Sequence, residues 1–200
     1  MNACYSTRME HTPTLIPETS ALVVIDLQKG IASMETAPHA ATDVISRAAQ
    51  LAAAFRAKNM PVVWVRVTPS KDKKDALAPA TDTPARSWDM PEDWAELVPE
   101  LGREETDIVI TKRQWGAFYG TELDLQLRRR GITTIALCGI STNIGVESTA
   151  RCAYELGYDQ VFIEDATAAQ SAEQHAASVE AIFPRMGRVR STEEVLAALA

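Results

Sequence analysis

The stretch Ala21-Leu-Val-Val-Ile-Asp26 consists of five apolar residues followed by a single acid. A short continuous apolar run of this kind is typical of a strand that is buried on both faces of a parallel sheet. Residues 61–67 have the same character, and residues 42–59 between the two runs carry apolar side chains at helical spacing. A strand, a helix and a second buried strand in this order indicate a right-handed βαβ crossover.

The same alternation continues to the end of the 200-residue chain. Further strands are predicted at 107–110, 132–138, 158–163 and 187–190. Further helices are predicted at 123–131, 143–156, 172–183 and from Ser191, where Ser191-Thr-Glu-Glu194 has the pattern of a capping box. We therefore expect an α/β protein with a three-layer, doubly wound, six-stranded parallel sheet of Rossmann-like architecture.

The length suits one domain, which we place at residues 19–200, preceded by an N-terminal arm at 1–18. Residues 68–106 interrupt the regular pattern with many charges, five prolines and two tryptophans. A connection of this length is uncommon in a compact domain, so we interpret it as a functional excursion or lid.

Composition restricts the possible partners. The net charge of -7 disfavours nucleic acids and anionic membranes, which repel an acidic protein. The sequence contains neither a bilayer-spanning apolar stretch nor a signal-peptide pattern, so we expect a soluble, cytoplasmic protein. Its three irregularly spaced cysteines suit reduced thiols rather than a disulfide framework.

Three polar features follow predicted strands. They are Asp26, Lys112 and the turn Gly139-Ile-Ser-Thr-Asn-Ile-Gly145. Open parallel sheets bind ligands beyond the carboxyl ends of their strands, so we expect the three to converge on one crevice. An acid beside a lysine is suited to moving a proton, although a structural salt bridge or a helix cap would explain Asp26 equally well.

The turn from Gly139 to Gly145 is not a phosphate loop. Its glycines are separated by five residues rather than four, and Val146 follows where such a loop requires a lysine. It does predict a helix N-terminus, capped by Thr142 or Asn143, that could receive an anion or a developing oxyanion.

Other polar residues are candidates for binding a small molecule. Gln28 could orient Asp26 or contact substrate, or could simply be a polar turn residue. Arg66, near the end of the second strand, could hold a substrate carboxylate, and Arg113 is the alternative. Three aromatic residues after Lys112 could form the wall of an apolar pocket or pack against another subunit: Trp115, Phe118 and Tyr119.

Three motifs, in order and in the correct strand context, carry a family resemblance. They are Val23-Val-Ile-Asp-Leu-Gln28, Thr111-Lys-Arg-Gln-Trp-Gly-Ala-Phe-Tyr-Gly-Thr121 and Cys138-Gly-Ile-Ser-Thr-Asn-Ile-Gly-Val-Glu-Ser-Thr149. They resemble the isochorismatase-like, or cysteine hydrolase, superfamily over about residues 21–200, and the last two most resemble its YecD-like subgroup. The resemblance implies a six-stranded parallel sheet and a homodimer or larger homo-oligomer.

The resemblance also implies a catalytic site. Amidases of this family use an aspartate, a lysine and a cysteine, and the first two match Asp26 and Lys112. Gly145 stands where the cysteine would be, and the family's non-proline cis peptide maps to Ile140–Ser141. True isochorismatases likewise have a small residue in place of the nucleophile, and their aspartate protonates a vinyl ether that water then cleaves.

We therefore expect a hydrolase that acts on a small, carboxylated metabolite without a covalent cysteine intermediate. Asp26 would be the general acid beside Lys112, Gly145 would leave room for substrate, and the turn residues 140–143 (Ile140, Ser141, Thr142 and Asn143) would help to bind it. Two alternatives stay open: a catalytically degenerate binding protein, and an amidase that uses Cys138 or Cys152.

The histidines suggest neither a catalytic triad nor a metal site. His11, His39 and His175 belong to none of the motifs, so a serine or cysteine nucleophile has no evident base. The nicotinamidase branch of the family carries an Asp-x-His metal-binding pair, which this sequence lacks. We therefore expect no metal and no cofactor.

Overall fold

Six parallel strands form one sheet in the computed structural model, which describes residues 15–83 and 90–200. The strands are β1 (Ser20–Ile25), β2 (Val62–Val67), β3 (Ile108–Lys112), β4 (Thr134–Ile140), β5 (Asp159–Ala168) and β6 (Arg188–Arg190). Their order across the sheet is β3-β2-β1-β4-β5-β6, and all neighbours pair in parallel. The predicted doubly wound sheet is therefore confirmed, and its direction of winding reverses between β1 and β4.

Helices cover both faces of the sheet. They are α1 (Lys29–Ala32), α2 (Ala41–Ala57), α3 (Leu123–Arg129), α4 (Glu147–Glu155), α5 (Ala172–Ala181) and α6 (Thr192–Leu199). The capping box predicted at Ser191 is present, since Ser191 and Glu194 each accept the other's backbone N–H through their side chains. Among the described residues, no helix is long and apolar enough to cross a membrane.

Two apolar cores lie on opposite faces of the sheet. Leu22 and Val24 of β1 belong to the core that includes α2 and α6. Val23 and Ile25 point the other way, into the core that includes α3 and α4. Because successive strand residues alternate between faces, an uninterrupted apolar strand supplies both cores at once.

The excursion at residues 68–106 has two described parts, separated by residues 84–89, which lie outside the described residues and include Trp88. The second part packs against α1, where the Gly30 N–H donates to the Trp94 carbonyl over 3.0 Å. A Cβ on Gly30 would lie 1.8 Å from the Trp94 indole ring, so only glycine fits beneath it. This part of the excursion is therefore an integral layer of the domain.

The predicted N-terminal arm at residues 1–18 lies mostly outside the described residues, which begin at Leu15. Cys4 and His11 fall in the undescribed part. Leu15 itself is buried in the core beside α2.

A polar cluster around Asp107 fixes the start of β3. Its carboxylate, only 3% exposed, accepts hydrogen bonds from Arg56 Nε and Nη2, Trp64 Nε1 and the Glu104 backbone N–H. Burial acts to raise the pKa of Asp107, but the hydrogen bonds from Arg56 and Trp64 outweigh it and hold that pKa below its ordinary value. The carboxylate is therefore charged in the folded protein at neutral pH.

Asp107→Ala is expected to destabilise the fold by about 3 kcal/mol, because it leaves a mostly buried guanidinium and an indole N–H without their acceptor. Since the folded pKa is lowered, the wild-type contribution is present above about pH 4 and is lost as the pH falls through the folded pKa. Urea unfolding at pH 7 measures the loss. The control Asp93→Ala breaks only an exposed ion pair with Lys29 and should leave the free energy of unfolding nearly unchanged. Equal losses in the two variants would contradict the prediction.

Candidate active site

Asp26 directly follows β1 at the point where the winding of the sheet reverses. Its φ of +55° is unusual for a residue with a side chain, and aspartate tolerates this conformation better than most. Its N–H donates to the Val65 carbonyl of β2 over 2.8 Å. The turn aims the carboxyl group into the crevice beyond the strand ends, and Asp26 is only 4% exposed.

Lys112, the last residue of β3, is 1% exposed, and its Nζ lies 2.8 Å from Asp26 Oδ2. The ammonium also donates to the Trp115 carbonyl. Removing two opposite charges from water is costly, and close pairing with added hydrogen bonds offsets that cost. The predicted convergence of the acid and the lysine is thus present in the fold.

The turn after β4 brings a third element to the same place. Gly139 has a φ of +120°, and a Cβ there would lie 2.1 Å from the Ile25 carbonyl oxygen, so the two strands approach closely only because of this glycine. The Ile140–Ser141 peptide is cis, as the family resemblance implies. A π-helical turn (Thr142–Val146) then leads into α4.

The predicted capping of this helix is wrong. The regular helix begins at Glu147, and neither the π-helical turn nor α4 has a side-chain cap. Thr142 instead pairs its hydroxyl with His175 Nδ1 over 2.9 Å, and Asn143 accepts from the Ser141 hydroxyl. A distant histidine and a neighbouring serine therefore take the polar groups that sequence reasoning assigned to the helix end.

Gly145 faces the ion pair directly. A Cβ built on it would lie 3.1 Å from Asp26 Oδ2, 3.2 Å from Lys112 Nζ and 2.9 Å from Ile25 Cγ2. Any side chain at position 145 would therefore contact both charged groups, and glycine leaves that space open to a ligand. The Gly145 carbonyl accepts a hydrogen bond from the Thr149 hydroxyl, which in turn accepts from the Ala117 N–H.

A cavity of about 530 Å³ opens above these three residues. Its walls are largely apolar and include Trp115, Ile140 and Ile144. Among the described residues, the charged side chains that line it are Asp26, Lys112, Glu35 and Arg113. An apolar pocket with a few charged groups is the usual form of a small-molecule site.

Some predicted binding residues line the cavity and others do not. Trp115, Ile140 and Ser141 do. Gln28 is fully buried elsewhere: its amide donates to the Val67 and Trp94 carbonyls and accepts from the Val67 N–H. The side chain therefore ties β2 to the excursion rather than contacting the cavity.

The remaining candidates also lie outside the cavity lining. Arg66 donates through Nε to the Thr111 hydroxyl of the neighbouring strand. Phe118 is buried against Tyr158, whereas Tyr119 is 83% exposed. Thr142 and Asn143 make the hydrogen bonds to His175 and Ser141 that are described above.

Sequence reasoning missed the first part of the excursion, which forms one wall of the cavity. Leu77, Pro79 and Thr81 are among its lining residues. The ion pair between Arg113 Nε and Asp75 Oδ2, 2.7 Å long, fastens this segment beside the site. Hydrogen bonds from the Ser70 hydroxyl and backbone, followed by Arg113, lower the pKa of Asp75 to about 2. The unusual composition of the excursion indicated a function, but it could not show which of its residues line the cavity.

Neither described cysteine lines this cavity. Cys138 is fully buried within β4, and burial strongly raises the pKa of its thiol. Cys152 lies on α4, where burial, then Glu155 and Asp124, also raise its thiol pKa. A thiolate, the nucleophilic form, is disfavoured at both positions.

Known proteins resemble this chain along most of its length. The chain is 58% identical over 182 residues to the isochorismatase family protein YecD of Escherichia coli O157:H7, covering 91% of this chain and 97% of YecD. It is 32% identical over 214 residues to the ureidoacrylate amidohydrolase RutB of Methylobacterium radiotolerans, covering 91% and 81% of the two chains. An isochorismatase family protein structure from Burkholderia thailandensis superposes with a TM-score of 0.91 at 48% identity, covering 94% and 98%.

The sequence profile of the Isochorismatase domain matches residues 20–194, which is nearly the whole of the described fold. With the parallel sheet and the relatives above, this match establishes that the chain belongs to the isochorismatase family of hydrolases.

Proposed function

We propose that this hydrolase cleaves a small, carboxylated metabolite without a covalent cysteine intermediate, with Asp26 as general acid and Lys112 as its electrostatic partner. One observation carries the proposal. Gly145 presents no side chain to an ion pair that is buried at the end of a largely apolar cavity. A ligand can therefore reach the Asp26–Lys112 pair, because no side chain occupies position 145, where the family's amidases have a nucleophile.

An enol ether is the bond that suits such a site. The pair holds a transferable proton between Asp26 Oδ2 and Lys112 Nζ. The Lys112 ammonium passes this proton to the Asp26 carboxylate, and Asp26 donates it to the terminal vinyl carbon, so that the ether carbon becomes an oxocarbenium ion. Water adds to that carbon and returns a proton through Asp26 to Lys112, and the resulting hemiketal collapses to a ketone and an alcohol. The carboxylate stabilises the cation, and no acyl-enzyme is needed.

The cavity wall supports a carboxylated substrate. Arg113 lines the cavity, whereas Arg66 does not, so we assign the carboxylate contact to Arg113. A guanidinium carries five N–H donors and can therefore hold Asp75 and a substrate carboxylate together. The aliphatic and indole surfaces of Ile140, Ile144 and Trp115 would receive the apolar part of the molecule.

A thiol mechanism has little support from the two described cysteines, because both have raised thiol pKa values away from the cavity. Activity on C–N bonds, as the name of RutB states for that relative, would have to proceed here without the thioester that the family's amidases use.

A matched substrate screen tests the proposal. The panel pairs enol ethers, amides and carbamates, each as a free carboxylate and as its methyl ester. We expect turnover of enol-ether carboxylates over their esters, and no loss of kcat/KM after treatment with iodoacetamide. Turnover restricted to amides and abolished by alkylation would contradict the proposal, and a Cys4→Ser background removes any effect of the thiol outside the described residues.

A further inference from the structure

Two of the chain's three histidines meet one glutamate away from the catalytic cavity. His39 precedes α2, Glu164 lies in β5 and His175 lies in α5, yet His39 Nε2 is 3.1 Å and His175 Nε2 is 3.2 Å from the same Glu164 Oε1. The two imidazole rings are edge to face, with centroids 5.7 Å apart. None of the three side chains lines the cavity beside Asp26.

The spacing of these atoms matches the ligand shell of a transition metal. Zinc binds imidazole nitrogen and carboxylate oxygen at about 2.0–2.2 Å in tetrahedral geometry, which separates neighbouring ligand atoms by about 3.3–3.5 Å. The nitrogen–oxygen separations of 3.1 and 3.2 Å are close to that range, and one ligand atom from each of the three residues lies within 4.8 Å of the others. Two imidazoles and a carboxylate form a donor set that zinc commonly uses.

Neighbouring groups hold the three ligands in place. The Thr142 hydroxyl pairs with His175 Nδ1 over 2.9 Å and so directs Nε2 of the same ring at Glu164. Metal-binding histidines usually have such a partner on the other ring nitrogen. The Thr36 hydroxyl donates to the His39 carbonyl, and the backbone pairing of Ala37 with Ala169 fastens the His39 segment to the end of β5.

We propose that His39, Glu164 and His175 form a binding site for a divalent transition metal ion such as zinc. His175 is almost fully buried, whereas His39 and Glu164 are partly exposed, so the site is open to water for a fourth ligand. Because Thr142 begins the π-helical turn that contains Gly145, a bound ion would hold that turn through the hydrogen bond between Thr142 and His175. This role is structural and does not depend on the reaction that the cavity performs.

The alternative arrangement is a set of hydrogen bonds alone. Both rings can donate a proton to Glu164 Oε1 while Thr142 donates to His175 Nδ1, which satisfies Glu164 Oε1 and both ring nitrogens of His175 without a metal. The two arrangements make opposite predictions for metal binding, and the difference is measurable on the intact protein.

The test is titration of the full chain, stripped of metal with EDTA, in a Cys4→Ser background. Zn²⁺ is followed by calorimetry, and Co²⁺ by its visible d–d absorption, which reports coordination by protein ligands. We expect one ion per chain, with an affinity lowered at least 10-fold in Glu164→Gln and in His39→Gln. Thr142→Val should lower the affinity by about 10-fold, as loss of a partner to a ligand does.

The third histidine supplies the matched control. His11→Gln removes an imidazole that is not one of the three proposed ligands and should leave both the stoichiometry and the affinity unchanged. Circular dichroism and thermal unfolding of each stripped variant show that the fold persists, and Zn²⁺ should raise the Tm of wild type but not of Glu164→Gln. Absence of Co²⁺ absorption in wild type, or equal zinc affinity in wild type and His39→Gln, overturns the proposal.

Discussion

Asp26→Asn is expected to lower kcat/KM on an identified substrate by about 10²- to 10⁴-fold, the usual contribution of a general acid. The amide retains the shape of the carboxyl group but can neither deliver the catalytic proton nor stabilise a positive charge on the substrate. Because the side chain contacts the reacting atoms in the proposed mechanism, the loss should appear mainly in kcat.

The backbone conformation of residue 26 makes asparagine a better replacement than alanine. Asp26 has a φ of +55°, a conformation in which asparagine and aspartate are enriched and which alanine adopts less readily. Asp26→Ala would therefore combine the loss of the acid with backbone strain, whereas Asp26→Asn removes the acid and keeps the backbone conformation.

The buried ammonium of Lys112 requires a second variant. Removing its partner is expected to destabilise the fold by about 3 kcal/mol or more, because the charge stays buried without its carboxylate. The double variant Asp26→Asn with Lys112→Gln removes both charges and should recover part of that stability while staying inactive. Thermal unfolding of the single and double variants thus separates loss of chemistry from loss of folding.

Glu35→Gln is the matched control for Asp26→Asn. Glu35 is another carboxylate of the cavity wall, but it is exposed and makes no contact with Lys112 that the structure describes. We expect at most a severalfold change in KM. Full activity of a well-folded Asp26→Asn protein would refute the general-acid assignment.

The sheet and the central pair of the site could be predicted because both follow from local patterns. An apolar run such as residues 21–25 predicts a buried parallel strand, and parallel strands end at the same edge of a sheet. Polar residues placed directly after such runs, like Asp26 and Lys112, therefore had to meet near that edge. β3 lies two strands from β1 in the sheet, and the long Lys112 side chain spans that distance to reach Asp26.

Side chains whose partners are distant in sequence could not be placed in this way. Gln28 was a candidate to bind substrate because it closely follows Asp26. Its side-chain amide instead forms hydrogen bonds with backbone groups of β2 and of the excursion. Thr142 resembles a helix cap, yet a histidine on α5 takes its hydroxyl. In each case a tertiary hydrogen bond replaced the local one that sequence reasoning assumes.

The histidine–glutamate cluster shows the same limit. A search for an Asp-x-His pair examines neighbours in sequence, whereas His39 and Glu164 are separated by 125 positions. They meet because the segment before α2 pairs with the chain at the end of β5, through Ala37 and Ala169.

Gly145→Cys is expected to create a thiol whose pKa falls from about 8.5 to between about 3.5 and 7.5. The new Cβ would lie 3.2 Å from Lys112 Nζ, and the start of α4 adds the positive end of its dipole. The Asp26 carboxylate and burial both act to raise the thiol pKa. The direction in which each charged group shifts that pKa can be checked by removing the two charges one at a time. Adding Lys112→Gln should raise the thiol pKa, and adding Asp26→Asn should lower it.

The pH dependence of iodoacetamide alkylation, followed by mass spectrometry in a Cys4→Ser background, measures this pKa. Cys138 and Cys152 give little background, because the pKa of each thiol is raised. Gly145→Ala adds the same Cβ without sulfur and isolates the steric cost against Ile25, about 1–3 kcal/mol. A thiol pKa near 8.5 that Lys112→Gln leaves unchanged would mean that position 145 does not face the ion pair. The proposal of an open nucleophile position would then fail with it, since that proposal requires that a side chain at 145 reach both Asp26 and Lys112.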